Sequence, residues 1–295
     1  MVMELNYVKL KEVKPALAGY IIDTKALLKG SVVPGEKVIH DVRVLMKKSR
    51  AVMRLVGPQL GNDFFTRDIL AFREVGRIMC SWRDTSVHRK ILKELSKENP
   101  GIFSRLKENE KINALLMKNL TDHEHSEEIQ VGLKKIDDLL NIAGHRIRFQ
   151  SMDKLDPQQL IKDLELTYLS VMHIYLTCRN NPKPENIHEF RKKAKKFFYQ
   201  LYFFRPLNPS VVKSIEKKLD IMTRNLGKYN DYTQLVKALG YKCHDSNNLP
   251  AMDELIMIIR DEQDKCLSKV WPVAYKIFCP GQNLVNVLGF KILVI

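Results

Sequence analysis

Apolar residues recur at three- and four-residue spacing along most of the chain, and few stretches alternate with a period of two, so the pattern predicts helix almost throughout. The predicted helices cover residues 8–29, 36–56, 63–97 with a break near Arg83, 101–120, 126–145, 157–179, 185–204, 208–239 and 252–278. Pro15 is expected to kink the first helix or to mark its real start, and Pro34 suits the first turn of the second. The clearest interior boundary is Asn180-Asn181-Pro182-Lys183-Pro184, because two prolines within three residues cannot sit inside a helix. From Leu284 onward the chain is apolar but short, carries Lys291, and reads as a strand-like tail with no assigned function.

Self-comparison changes this picture more than any single helix does. His40-Asp41-Val42-Arg43-Val44-Leu45-Met46-Lys47-Lys48 runs His, acid, apolar, Arg and then Lys-Lys after three residues, and His188-Glu189-Phe190-Arg191-Lys192-Lys193-Ala194-Lys195-Lys196 repeats the order 148 residues later. Downstream, the block from Arg77 to Asp84 is matched by the block from Arg224 to Asp231 at an offset of 147. Two blocks in one order at nearly one offset point to a duplicated helical unit. The expected fold is all-α, with two pseudo-symmetric helical bundles over residues 1–150 and 151–280 and a tail of no assigned role over 281–295.

The repeated blocks carry the candidate chemistry. At about 100° per residue, His40, Arg43, Lys47, Arg50 and Arg54 fall within an arc of about 80° on one helix face, opposite Val42, Leu45, Met46, Val52, Met53 and Val56. In the second copy His188, Arg191 and Lys195 share a face flanked by Lys192, with Phe190, Ala194, Phe197 and Leu201 opposite. Phe198 and Tyr202 stand where the first copy has Arg50 and Arg54. Arg73 and Arg77 share a face with Asp84, and Arg224 shares one with Asp231. Like charges three and four residues apart cost a few tenths of a kcal/mol per pair in a helix, a cost that a bound polyanion relieves. Arginine offers a bidentate fork, lysine a point charge, and histidine a neutral or protonated donor.

Composition supports an anionic partner: 49 Lys and Arg against 34 Asp and Glu give a formal net charge of +15. With 295 residues, 45% of them hydrophobic, the chain can bury a sizeable core. The five cysteines, Cys80, Cys178, Cys243, Cys266 and Cys279, are scattered and odd in number, as expected in a reducing cytoplasm. No apolar run approaches the roughly 20 residues of a membrane span, so no membrane partner is expected. The chain has no Gly-rich phosphate loop, HExxH pair or nucleophile elbow, which argues against an enzyme, and no cofactor is expected. His123 and His125, without a third ligand in sight, read as solvent-exposed residues rather than a metal site. The aromatic run Phe197, Phe198, Tyr199, Tyr202, Phe203 and Phe204 has the spacing of core packing.

His40-Asp41-Val42-Arg43 with Lys47-Lys48-Ser49-Arg50, the stretch from Arg73 to Asp84, and Pro184-Glu185-Asn186-Ile187-His188-Glu189-Phe190-Arg191-Lys192-Lys193 with Tyr199-Gln200-Leu201 resemble the CHAD family, the conserved histidine α-helical domain. The resemblance spans roughly residues 8–280 and implies two helical bundles around a basic groove or pore. It also implies binding of inorganic polyphosphate and recruitment to polyphosphate granules. Carried over by motif, the binding positions are His40, Arg43, Lys47, Arg50 and Arg54, opposed by His188, Arg191, Lys192 and Lys195, with Arg73, Arg77 and Arg224 added. Where the family often has a Tyr-Arg-Arg-Gly-Arg run, this chain has Tyr168-Leu169-Ser170-Val171-Met172. Two other readings stand beside this one: a basic helical module for nucleic acid, and a phosphohydrolase acting on polyphosphate.

Overall fold

The computed structural model describes residues 8–82, 84–117, 126–240 and 250–289. Among them lie twelve α-helices and no strand: α1 (Leu10–Leu28), α2 (Glu36–Leu60), α3 (Asn62–Ser81), α4 (Asp84–Glu98), α5 (Pro100–Arg105), α6 (Glu110–Met117), α7 (Ser126–Phe149), α8 (Pro157–Asn180), α9 (Pro184–Leu201), α10 (Pro209–Ala238), α11 (Pro250–Phe278) and α12 (Leu284–Leu288). The all-helical expectation therefore holds. Arg83, His123, His125, Cys243 and Lys291 lie outside the described residues.

Proline opens α5, α8, α9, α10 and α11, where its missing N–H costs nothing and its fixed φ suits the first turn. Asp156 accepts a hydrogen bond from Gln158 N at 2.9 Å and Asn208 one from Val211 N at 3.4 Å, so α8 and α10 are also capped by side chains. Gly61, at φ 98°, ends α2 in a conformation closed to most side chains and lets α3 begin at once. Pro15 neither starts nor ends α1, which begins at Leu10 and runs through it. The lost N–H forfeits a single helical bond near the open end of that helix.

Three predicted elements are corrected. The helix expected over 101–120 is two helices, because Asn109 accepts from Ile112 N at 3.1 Å and so caps a new helix at α6. The helix expected to reach Phe204 gives way after Leu201 to a 3₁₀ turn over Tyr202–Phe204. The tail expected to be strand-like begins as α12, whose first turn is capped by Asn283 accepting from Asn286 N at 2.8 Å.

The helices pack in two rings with the same order of neighbours. In the first, α1 packs on α2, α2 on α3, α3 on α7, and α7 returns to α1; in the second, α8, α9, α10 and α11 close in the same way. The rings meet where α2 packs against α9 and α8, with Gln200 Nε2 donating to the Ala51 carbonyl at 3.0 Å across the contact. One continuous core runs through both rings, from Leu17, Met46 and Phe72 to Phe190, Phe197 and Phe278. Tyr168, fully buried, donates its hydroxyl to the Ile277 carbonyl at 2.8 Å, the partner a buried phenol requires. The segment α4 to α6 leaves the first ring and packs on α10 and α11, forming a satellite core of Leu92, Leu95, Leu106 and Ile112 against Leu235, Leu255 and Ile259.

Among the described residues no helix is long and apolar enough to cross a membrane, and no cluster of three metal-ligating side chains occurs.

Candidate functional site

The cationic stripe of α2 is broad enough for its two edges to face different surroundings. His40, Val44 and Lys48 succeed one another at four-residue spacing and, with Lys47, face a cavity of about 1190 Å³ between α1, α2, α9 and α10. Arg191 and Lys195 of α9 and Arg224 of α10 line the same cavity. Five of the predicted residues, His40, Lys47, Arg191, Lys195 and Arg224, are thus brought to one space.

On the α9 side the cations are closely managed. Arg191 lies over Gly227 of α10, where an added methyl group would stand 3.5 Å from its Nε. Lys195, with 21% of its side chain exposed, sits over the rings of Phe198 and Tyr199 at 4.9 and 5.5 Å. Burial pushes its ammonium down to about 8; Asp220 opposes that fall, while Arg191, Arg224 and Lys48 add to it. Asp220 reaches Lys195 Nζ at 3.9 Å and Arg224 Nη2 at 3.1 Å. Burial also drives the Tyr199 phenol up to about 12, so it stays neutral.

The other edge of the α2 stripe, Arg43, Arg50 and Arg54, gathers with Arg73 of α3. Burial and the like charges of Arg54, Arg73 and Arg43 push the Arg50 guanidinium below the usual arginine range, and burial with Arg73 does the same to Arg54. Arg50 Nε donates to the Met46 carbonyl of its own helix at 3.3 Å, which fixes the base of its fork. Arg43 Nη1 is buried and meets no acceptor among the described residues, an uncommon state for a donor of this strength. Lys196 of α9 lies close enough that Arg54 lowers its pKa, after burial, so the two rings bring cations together on this side as well.

The remaining predicted residues stand apart. His188 faces a separate cleft of about 430 Å³, where its Nδ1 meets Asn230 Oδ1 at 2.6 Å. Lys192 lines that cleft and pairs with Glu189. Arg77 forks onto Glu74 with two contacts of 2.8 Å, and Lys135 reaches the same carboxylate at 2.8 Å; these bonds pull Glu74 down to about 2. The aromatic run divides: Phe197, Phe203 and Phe204 are fully buried, while Phe198, Tyr199 and Tyr202 line the cavity.

Sequence reasoning left out Lys48, Lys196, Lys213, Lys217 and Lys228, although all but Lys196 line the cavity. Lys48 was within reach, standing beside Lys47 in the repeated block. It also missed Asp220, whose signal was present: extending the 147-residue offset back from Arg77 and Arg224 sets Asp220 against Arg73.

A family model for the CHAD domain matches residues 24–240, which include α2, α3, α9 and α10 and every cation named above. No curated protein and no solved structure matches the chain. With well over half its length covered by that model, the chain belongs to the CHAD domain family.

Proposed function

We propose that this protein binds inorganic polyphosphate along the basic surface where α2 meets α9, and that it does so without catalysing a reaction on it. The observation that carries the reading is the cluster Arg43, Arg50, Arg54 and Arg73: burial and like charges push Arg50 and Arg54 below the usual arginine range, and a buried donor of Arg43 meets no acceptor among the described residues. A chain of phosphates supplies at once the countercharge and the acceptors this cluster lacks. Family membership supports the reading, since polyphosphate binding is a general property of CHAD domains. Binding long chains would bring the protein to polyphosphate granules, and the scattered, odd-numbered cysteines fit a reducing cytoplasm.

A basic module for nucleic acid is the second reading, favoured only by the excess of Lys and Arg. Calorimetric titration of long-chain polyphosphate into the wild type and an Arg43→Ala/Arg191→Ala variant, at two salt concentrations, tests the first. Salt-sensitive binding that collapses in a folded variant is expected. Indifference to those arginines, or displacement of polyphosphate by nucleic acid at far lower phosphate concentration than the reverse, would sustain the second reading instead.

A further inference from the structure

The two ends of the cationic surface differ in charge in a way their common pattern hides. At offsets of 147 and 148 residues, Arg50, Arg54 and Arg73 correspond to Phe198, Tyr202 and Asp220. The first set is arginine only, and burial together with the like charge of Arg73 pushes Arg50 and Arg54 below the usual arginine range. The second replaces two cations by rings and the third by a carboxylate, which divides its two oxygens between Lys195 and Arg224 at 3.9 and 3.1 Å. Asp220 is itself half-open to solvent, with 41% of its side chain exposed, so it can swing away from both cations without leaving a buried charge behind.

We propose that Asp220 is a resident counter-ion that reserves Lys195 and Arg224 for phosphates already anchored at the arginine end, making it a specificity-determining residue for ligand length. This inference rests on the polyphosphate reading. A small dissolved phosphate must displace a carboxylate tethered beside both cations, whose effective concentration it does not match. Among the described residues no carboxylate pairs with Arg43, Arg50, Arg54 or Arg73, so the same small phosphate binds there alone. A long chain held by those arginines meets Asp220 on equal terms, because its next phosphates are tethered too. It turns the carboxylate out into water and takes the two cations.

The arrangement has a second signature. Cations neutralised by dissolved ions release them when a polyanion binds, and each release steepens the dependence of affinity on salt. Cations neutralised by Asp220 release nothing, since the displaced carboxylate stays on the protein. Removing its charge should therefore steepen the salt dependence while binding tightens.

The test is calorimetry of the full chain with tripolyphosphate and with long-chain polyphosphate, at several salt concentrations, comparing the wild type with Asp220→Asn. Asp137→Asn serves as the control for net charge, because Asp137 pairs with Lys25 at 3.1 Å and lines a different cleft. The wild type and the control should take up one tripolyphosphate and Asp220→Asn a second. Long-chain affinity should rise roughly two- to fivefold in Asp220→Asn, the scale of one partly exposed ion pair. Its plot of log affinity against log salt should steepen by about one unit. Unchanged stoichiometry and unchanged slope in an Asp220→Asn protein that still binds long chains would overturn this inference alone. Failure of the wild type to bind long chains at all would overturn the polyphosphate reading and this inference with it.

Discussion

A methyl group on Gly227 would stand 3.5 Å from Arg191 Nε and 3.6 Å from its Nη2, so the arginine of α9 lies along a strip of α10 kept bare of side chain. Those distances are ordinary contacts, and the corresponding position of the first ring holds Cys80. Gly227→Ala should therefore keep polyphosphate affinity within about twofold and raise thermal stability by up to ~1 kcal/mol, the helix preference of Ala over Gly. Gly227→Leu should push the guanidinium out of line and weaken binding by about tenfold, or ~1.4 kcal/mol. Calorimetry and thermal melts on both variants check this. Equal binding by the two would mean that Arg191 does not act from this position.

Lys195 faces Asp220 and Arg224 of α10, Lys48 of α2 and Arg191 of its own helix, and without ligand its ammonium is held down to about 8. A polyanion raises that pKa on binding. Below pH 8 the lysine is charged in both states and contributes no pH dependence. Above pH 8 binding must take up a proton, so affinity should fall by up to about tenfold per pH unit until the bound-state pKa is passed. Lys195→Arg should flatten the profile, and a wild-type profile level from pH 7 to 9 would contradict the assignment.

Arg73→Asp would give the first ring the acid that the second already has. The substitution sets a carboxylate beside Arg50 and Arg54, both of which now feel Arg73 as a like charge. Long-chain affinity should drop by about tenfold or more and the salt slope should shrink by one to two units, as fewer dissolved ions are released. Titration at three salt concentrations is sufficient to read both effects.

Stability carries its own test at Asp68, whose carboxylate is fully buried on α3 and held by Arg146 Nη1 of α7 at 3.1 Å. Burial keeps this carboxyl above the usual range, against the pull of Arg146. Arg146→Ala should cost about 2–3 kcal/mol at pH 7, less than for a wholly buried pair because Arg146 is 38% exposed. With its folded pKa raised further, Asp68 takes up a proton as the pH falls, so the deficit should narrow by pH 5. Denaturant melts at the two pH values measure it.

The helices and the two charged faces were legible because both are written in a period of 3.6 residues. A wheel of α2 places His40, Arg43, Lys47, Arg50 and Arg54 together, yet it holds no information about neighbours. Only packing reveals that α1 and α10 leave a cavity over one edge while Arg73 meets the other. The wheel of α9 likewise sets His188 with Arg191, although packing turns it toward Asn230. Lys196 resembled a surface lysine because its partner in space, Arg54, lies 142 residues away. The break between α5 and α6 was written locally, in Asn109, but a single capping residue carries little weight within an apolar pattern that continues across it.

The excursion of α4 to α6 bears on how the chain matures as it is made. Leu92, Leu95, Leu106 and Ile112 leave the ribosome early, yet the surface that covers them, Leu235, Leu255 and Ile259, is synthesised more than a hundred residues later. Until α10 and α11 emerge, this greasy flap has no home and is a natural client for a chaperone. Once seated, it straps α4 to α6 across α10 and α11, so neither ring is a detachable module and the satellite core closes only after α11 has been made.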